Sequence, residues 1–204
     1  MLNFATLVIF LLAALFFYAF YSLIKRAFEE VGFNNWESST IVFGSVILGM
    51  VDIPLFKYNG WIIGVNVGGA LLPIILSIYL MIKNRVFFRV ILGIAIISYI
   101  TYNYTYVSNR GIVSPFPLWL FPPIAASMYS VMVAIKNKRK AASIAYSSGT
   151  MGALMGADIF HLKELLSLHP RPNTMAVIGG AAILDMVFLT GVIAVIIDAL
   201  LYES

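Results

Sequence analysis

No cysteine occurs in the chain. Disulfides, thiolate metal sites, iron–sulfur clusters and cysteine nucleophiles are therefore excluded. Charge is scarce as well. Only 11% of the 204 residues are Asp, Glu, Lys or Arg, where an ordinary soluble domain has about a quarter. There are two histidines, His161 and His169, both at or beyond the end of an apolar run. That placement disfavours a haem held between helices, and no residue set is spaced to hold a metal. No cofactor is implied. The net charge of +4 sits in short clusters beside apolar runs. Such clusters set membrane orientation and meet anionic head groups, so they do not point to nucleic acid.

What is present in excess is apolar surface: 61% hydrophobic residues and a mean hydropathy of +0.95. Several apolar runs reach the length of about 20 residues that spans a bilayer core. The expected fold is an all-α integral membrane protein, a single domain over residues 1–204 with about seven transmembrane helices. Its partner is the lipid bilayer and its expected place is the cell membrane, as a multi-pass protein. The spans are read over 4–23, 40–56, 61–82 and 86–107, then a fifth opening at SPFPLWLFPPIAA, then 141–162 and 175–201. Ser38, Ser39 or Thr40 is expected to cap the second span. Pro54 should bend or end it, and Pro122 and Pro123 should kink the fifth. Glu29 and Glu30 fall in a solvated connector. The arginine that would follow the paired glutamates of a CAAX-type metalloprotease is missing.

The first span starts uncharged and is followed by Lys25 and Arg26, which reads as a retained signal anchor. Basic residues also follow span three (Lys83, Arg85) and span five (Lys136, Lys138, Arg139, Lys140), while Lys57, Arg110, Lys163 and Arg171 mark the poorer side. By the positive-inside rule the N-terminus is outside and the C-terminus cytoplasmic.

Two carboxylates, Asp158 and Asp185, lie in apolar, glycine-rich runs, GTMGALMGADIFHL and VIGGAAILDMVFLTG. A carboxylate in hydrocarbon is expensive and marks a functional site. The two halves of the chain also look alike. Span two ends MVDIPLF and span six ends GADIFHL; span three opens VNVGGALLP and span seven opens VIGGAAILD. The expectation is a parallel 3+1+3 repeat, residues 1–83 and 117–204 joined by a linker helix over 86–107, an arrangement recurrent in transporters. The candidate binding set is Asp158, Asp185, Asp52, Asn66, Gly68, Gly69, Gly179 and Gly180. The glycine pairs weaken their helices and free backbone groups for a ligand. At about 1.5 Å per residue the two acids are expected to differ in depth by roughly 9 Å.

The stretches MVDIPL, NVGGALLPIILSIYL, SSGTMGALMGADIFHL and IGGAAILDMVFLTGVIAV together resemble one family, the archaeal and bacterial membrane proteins designated domain of unknown function 1614. The resemblance covers residues 27 to 197. It implies a small polytopic membrane protein and no activity, and Asp52 stands where the family pattern has asparagine. The isoleucine- and tyrosine-rich spans suggest an archaeal source.

Three readings of function stay open. One is a transporter or pore for a proton, cation or small solute, with Asp158 and Asp185 as its acids. Another is a diaspartyl intramembrane protease using the same two residues, although neither acid lies in the Tyr-Asp or Gly-x-Gly-Asp setting of presenilin-like enzymes. The last is a non-catalytic subunit or assembly factor that works in an oligomer or with a complex partner.

Overall fold

The computed structural model describes residues 3–108, 111–134, 137–168 and 174–203. Arg110, Lys136, His169 and Arg171 lie outside the described residues. Most of the described chain is helical. Two of its helices, Phe4–Val31 and Phe87–Tyr104, are long and apolar enough to cross a membrane; Val67–Lys83, Leu118–Ala134 and Met186–Tyr202 are apolar but shorter.

Helix α1 spans Phe4–Val31 and buries only Ile24, Ala27, Phe28 and Val31. Its first half exposes Phe10, Phe16 and Phe17, each by two thirds of its surface. So much contiguous apolar surface needs lipid or protein over it. The helix runs past the predicted end and takes in Glu29 and Glu30, so the connector shrinks to a short turn at Gly32. Helix α2, Asn35–Leu48, is capped by Asn34, whose side chain accepts from the Glu37 N–H while Glu37 reaches back to the Asn34 N–H. This capping box, not Ser38–Thr40, satisfies the free N–H groups of the first turn.

The all-α expectation fails between the second and third spans. After α2 the chain runs extended through β1, Asp52–Tyr58, and returns through β2, Trp61–Asn66, as an antiparallel hairpin. Asn59 (φ 47°) and Gly60 (φ 84°) form its two-residue turn. Positive φ at both central positions is the turn geometry that matches strand twist. Isoleucine, valine and tryptophan dominate β2, and Ile53, Phe56 and Tyr58 recur along β1, as pleated backbone favours. Pro54 sits in an edge strand next to a register irregularity, where its missing donor costs least. Helix returns with a wide π turn, Val67–Leu71, leading into α3, Leu72–Lys83.

Helix α4, Phe87–Tyr104, follows the predicted fourth span and ends in a small hairpin, β3 Tyr106–Ser108 and β4 Gly111–Val113. Helix α5 spans Phe121–Ala134. Pro122 and Pro123 fall in its first turn, where backbone donors have no helical acceptor, so they open the helix and do not kink it.

Helix α6, Lys138–Ala153, is the hub. Every residue from Ala141 to Thr150 is buried, against α3, α4, α5 and α8. Two glycines let neighbouring backbone approach closely. A Cβ on Gly152 would meet Ile97, and one on Gly156 would meet the Ser98 carbonyl and Thr101. The helix opens into a second π turn, Leu154–Ile159, and continues as α7, Phe160–Ser167.

The predicted seventh span is also interrupted. Residues Thr174–Ile178 form β5, parallel to β2, and complete a sheet of order β1-β2-β5. A 3-10 turn, Ala182–Leu184, precedes α8, Met186–Glu203. Helix α8 packs along α6 and α5, with Phe28, Tyr146 and Phe188 in ring contact at the core. The end of the bundle away from the sheet is basic, with Lys25 on Glu29 (3.5 Å) and Lys138 on Glu30 (3.1 Å).

Candidate functional site

Asp158 lies in the π turn after α6, and Asp185 at the start of α8. Asp185 follows a strand and a 3-10 turn, not the stretch of continuous helix expected. Both acids line one cavity of about 340 Å³, walled also by Thr105, Ser114 and Trp119. They also line an adjoining cavity of about 440 Å³ that follows β5 along its whole length.

Their surroundings differ. Asp185 is extended (φ −67°, ψ 143°) and caps α8. Its Oδ1 accepts from the Val187 N–H at 2.9 Å and its Oδ2 from the Ala181 N–H at 3.2 Å. A carboxylate there meets unsatisfied donors and the positive end of the helix dipole. Asp158 faces the Gly179 N–H, but its Oδ2 is buried and has no hydrogen-bond partner among the described residues. No hydrogen bond joins the two carboxyls. Asp185 is thus held through both carboxyl oxygens, whereas Asp158 leaves one oxygen without a partner beside the cavity.

The rest of the predicted set divides in two. Gly179 and Gly180 are at the acids: Gly179 (φ 70°) faces Asp158, and Gly180 lines the larger cavity. Asp52, Asn66, Gly68 and Gly69 line neither cavity. They form a backbone junction beside it. Buried Asn66 donates to the Gly49 carbonyl and to Asp52 Oδ1, each at 2.8 Å, and accepts from the Gly69 N–H at 2.7 Å. Three of the four hydrogen bonds open to an amide side chain are taken, which leaves Asn66 little to offer a ligand. The junction touches the acids through glycine: a Cβ on Gly69 would strike the Gly179 carbonyl, and one on Gly68 the Ser45 carbonyl.

His161 does not join the site. It stacks on Tyr102 (4.5 Å between ring centres), with Nδ1 at 3.1 Å from Glu164 and Nε2 at 3.3 Å from the Tyr102 carbonyl oxygen. Among the described residues no group of three or more His, Asp or Glu is placed to hold a metal.

One acid escaped the sequence reading. Asp198 on α8 is fully buried, and its Oδ1 accepts from Ser130 at 2.7 Å. It carries the signal that marked the other two, a lone carboxylate inside VIAVIIDALLY. It stands where span seven nears its basic end, and no repeat partner drew attention to it.

The family described as "Protein of unknown function (DUF1614)" matches over residues 29–197. No curated protein and no solved structure matches the chain.

Proposed function

We propose that this chain, which belongs to the DUF1614 family, is a multi-pass membrane protein that moves a proton or small cation, with Asp158 as the exchanging acid and Asp185 as its fixed counter-charge. The single observation that carries this reading is the unpartnered oxygen of Asp158. A buried polar atom left without a partner costs about 1–3 kcal/mol. That cost is tolerable where a proton, cation or water takes up the oxygen, and the shared cavity of about 340 Å³ has room for one.

The membrane reading draws support from the exposed apolar flank of α1 and the apolar helices. The basic end then faces the cytoplasm and the sheet end faces outward. The parallel repeat draws support from the pairing of β2 with β5, because these are the segments leading into the two Gly-Gly pairs, and Gly69 meets Gly179. The cavities at the acids and the Lys138–Glu30 pair at the other end support reading the bundle as a carrier open at its sheet end.

The test uses the full chain in liposomes with a pH dye in the lumen. An imposed gradient should acidify the lumen, and Asp158→Asn should abolish this while leaving the helical circular dichroism intact. An apolar carbodiimide, which attacks protonated carboxyls, should label Asp158 ahead of Asp185. Equal labelling of both, with flux unaffected by Asp158→Asn, would refute the assignment.

A second reading, an aspartic hydrolase, is favoured by one observation: β5 lines the larger cavity from Thr174 to Ile178 and leads to both acids. An extended polypeptide laid along that strand would meet a carboxylate pair able to share a proton and activate water. Cleavage of an apolar model peptide that needs both Asp158 and Asp185 would establish this reading over transport.

A further inference from the structure

We infer that Asp198, together with Ser130, is a second, inner proton-exchange station, joined to the Asp158–Asp185 site by a row of buried hydroxyls along the α6–α8 interface. The inference rests on the transport reading and gives it a route.

Helix α8 runs antiparallel to α6. At the sheet end Asp185 shares a cavity with Asp158. Midway, Gly191 of α8 leaves room for Thr150 of α6: a Cβ there would strike the Thr150 hydroxyl and crowd Tyr146. At the basic end Asp198 comes within the fields of Lys138 on α6 and Glu30 on α1. From Asp185 to Asp198 the helix covers about 20 Å.

Among the described residues eight buried side-chain oxygens are unpartnered; Ser38 and Thr101 lie on α2 and α4, Ser114 and Asp158 at the acid cavity, and the other four on α5, α6 and α8. Tyr146 and Thr150, one turn apart, set their hydroxyls side by side, and neither reaches a partner outside that pair among the described residues. The Ser127 hydroxyl on α5, one turn from Ser130, and Asp198 Oδ2 are unpartnered too. Tyr146, Thr150, Ser127 and Asp198 are all within 2% of complete burial. Each of these four groups lies on a helix between or at the two acid stations, and a bridging water would satisfy it.

Proton counting at the inner end points the same way. Ser130 Oγ lies at 2.7 Å from both the Ser127 carbonyl and Asp198 Oδ1. A hydroxyl has one proton and cannot give it to both acceptors. With a proton on Asp198, the carboxyl donates to Ser130 Oγ and Ser130 donates to the carbonyl, so both contacts are satisfied. Without it, Ser130 turns its proton to the carboxylate and the carbonyl loses its donor. Loading and release of one proton therefore switch one hydroxyl.

The balanced step is as follows. Asp158 takes a proton from the outer cavity. Each hydroxyl or water in the row accepts a proton on a lone pair and passes its own onward. Asp198 receives one and releases one past the Lys138–Glu30 pair to inner water. The row is restored when its hydroxyls turn back. The groups facing Asp198 are Ser130 on α5, Lys138 on α6, Glu30 on α1 and Tyr202 on its own helix.

The experiment measures proton flux into liposomes carrying the full chain, beside infrared spectra of the same protein in detergent. Asp198→Asn should cut flux to the rate of protein-free liposomes and remove a protonated-carboxyl stretch. Ser130→Ala should shift that stretch and slow flux, and Asp198→Glu should restore part of it. If Asp198→Asn conducts like the parent while Asp158→Asn does not, the inner station is wrong and the transport reading stands. If the parent shows no flux, the route falls together with that reading. An Asp198→Asn spectrum that keeps the full protonated-carboxyl band overturns the proton assignment without recourse to flux.

Discussion

Asp185 does two jobs that can be separated. As a cap it accepts from the Val187 N–H of α8 and the Ala181 N–H before it; as the proposed counter-charge it shares the cavity with Asp158. Asp185→Ala removes both and should lower stability by about 1 kcal/mol, the usual worth of an N-cap. Asp185→Ser keeps an oxygen for the Val187 N–H and removes the charge. We expect Asp185→Ser to melt close to the parent yet lose flux, and equal melting losses for both variants would contradict the division. Asn66 is the contrasting case, polar and buried with three hydrogen bonds to the chain itself. Asn66→Ala deletes three hydrogen bonds at about 1 kcal/mol each, so a loss near 3 kcal/mol is expected in thermal unfolding. These two residues show how far single positions were legible. Both stood out as polar groups in apolar runs, and that signal finds burial without telling ligand from scaffold. It was equally present at Asp198 and went unread.

The elements explain the rest of what was hidden. By hydropathy the segment 52–66 reads as the end of one helix and the start of another, and hydropathy does not distinguish a short apolar strand from a helix segment. A local signal was there. Asn59-Gly60 between two β-branched, aromatic stretches is a strong hairpin signature, confirmed by the positive φ of both residues. Of the π turns, Val67–Leu71 was marked by the Gly68-Gly69 pair that weakens helix, whereas Leu154–Ile159 carried no such mark. The close helix approaches were legible from glycine spacing alone. Gly156→Val should cost roughly 1–3 kcal/mol, as overpacking does, because its side chain would enter the Ser98 carbonyl and Thr101. Gly191→Ala tests the α6–α8 interface differently. Alanine favours helix by about 1 kcal/mol over glycine, but its Cβ would displace the Thr150 hydroxyl. Near-parent stability with reduced flux is the expected result, and undiminished flux would remove Thr150 from the route.

At the scale of the whole molecule the acids and the basic clusters lie at opposite ends. Two cavities open onto the acids at the sheet end, while the Lys25–Glu29 and Lys138–Glu30 pairs lie at the basic end, beside a mostly apolar cavity of about 570 Å³ lined by Phe33, Trp36 and Tyr79. The Lys138–Glu30 pair is partly exposed, so its contribution to stability is under about 1 kcal/mol. Its proposed role is closure. Glu30→Gln should leave the melting temperature nearly unchanged and raise the proton leak, whereas a leak equal to the parent's would deny the pair any gating role. The measurement that bears most directly on the account is proton flux into liposomes under an imposed membrane potential, with parent and Asp158→Asn protein at equal density. The account predicts steady acidification with the parent and the rate of protein-free liposomes with the variant. Equal flux through both proteins would contradict it.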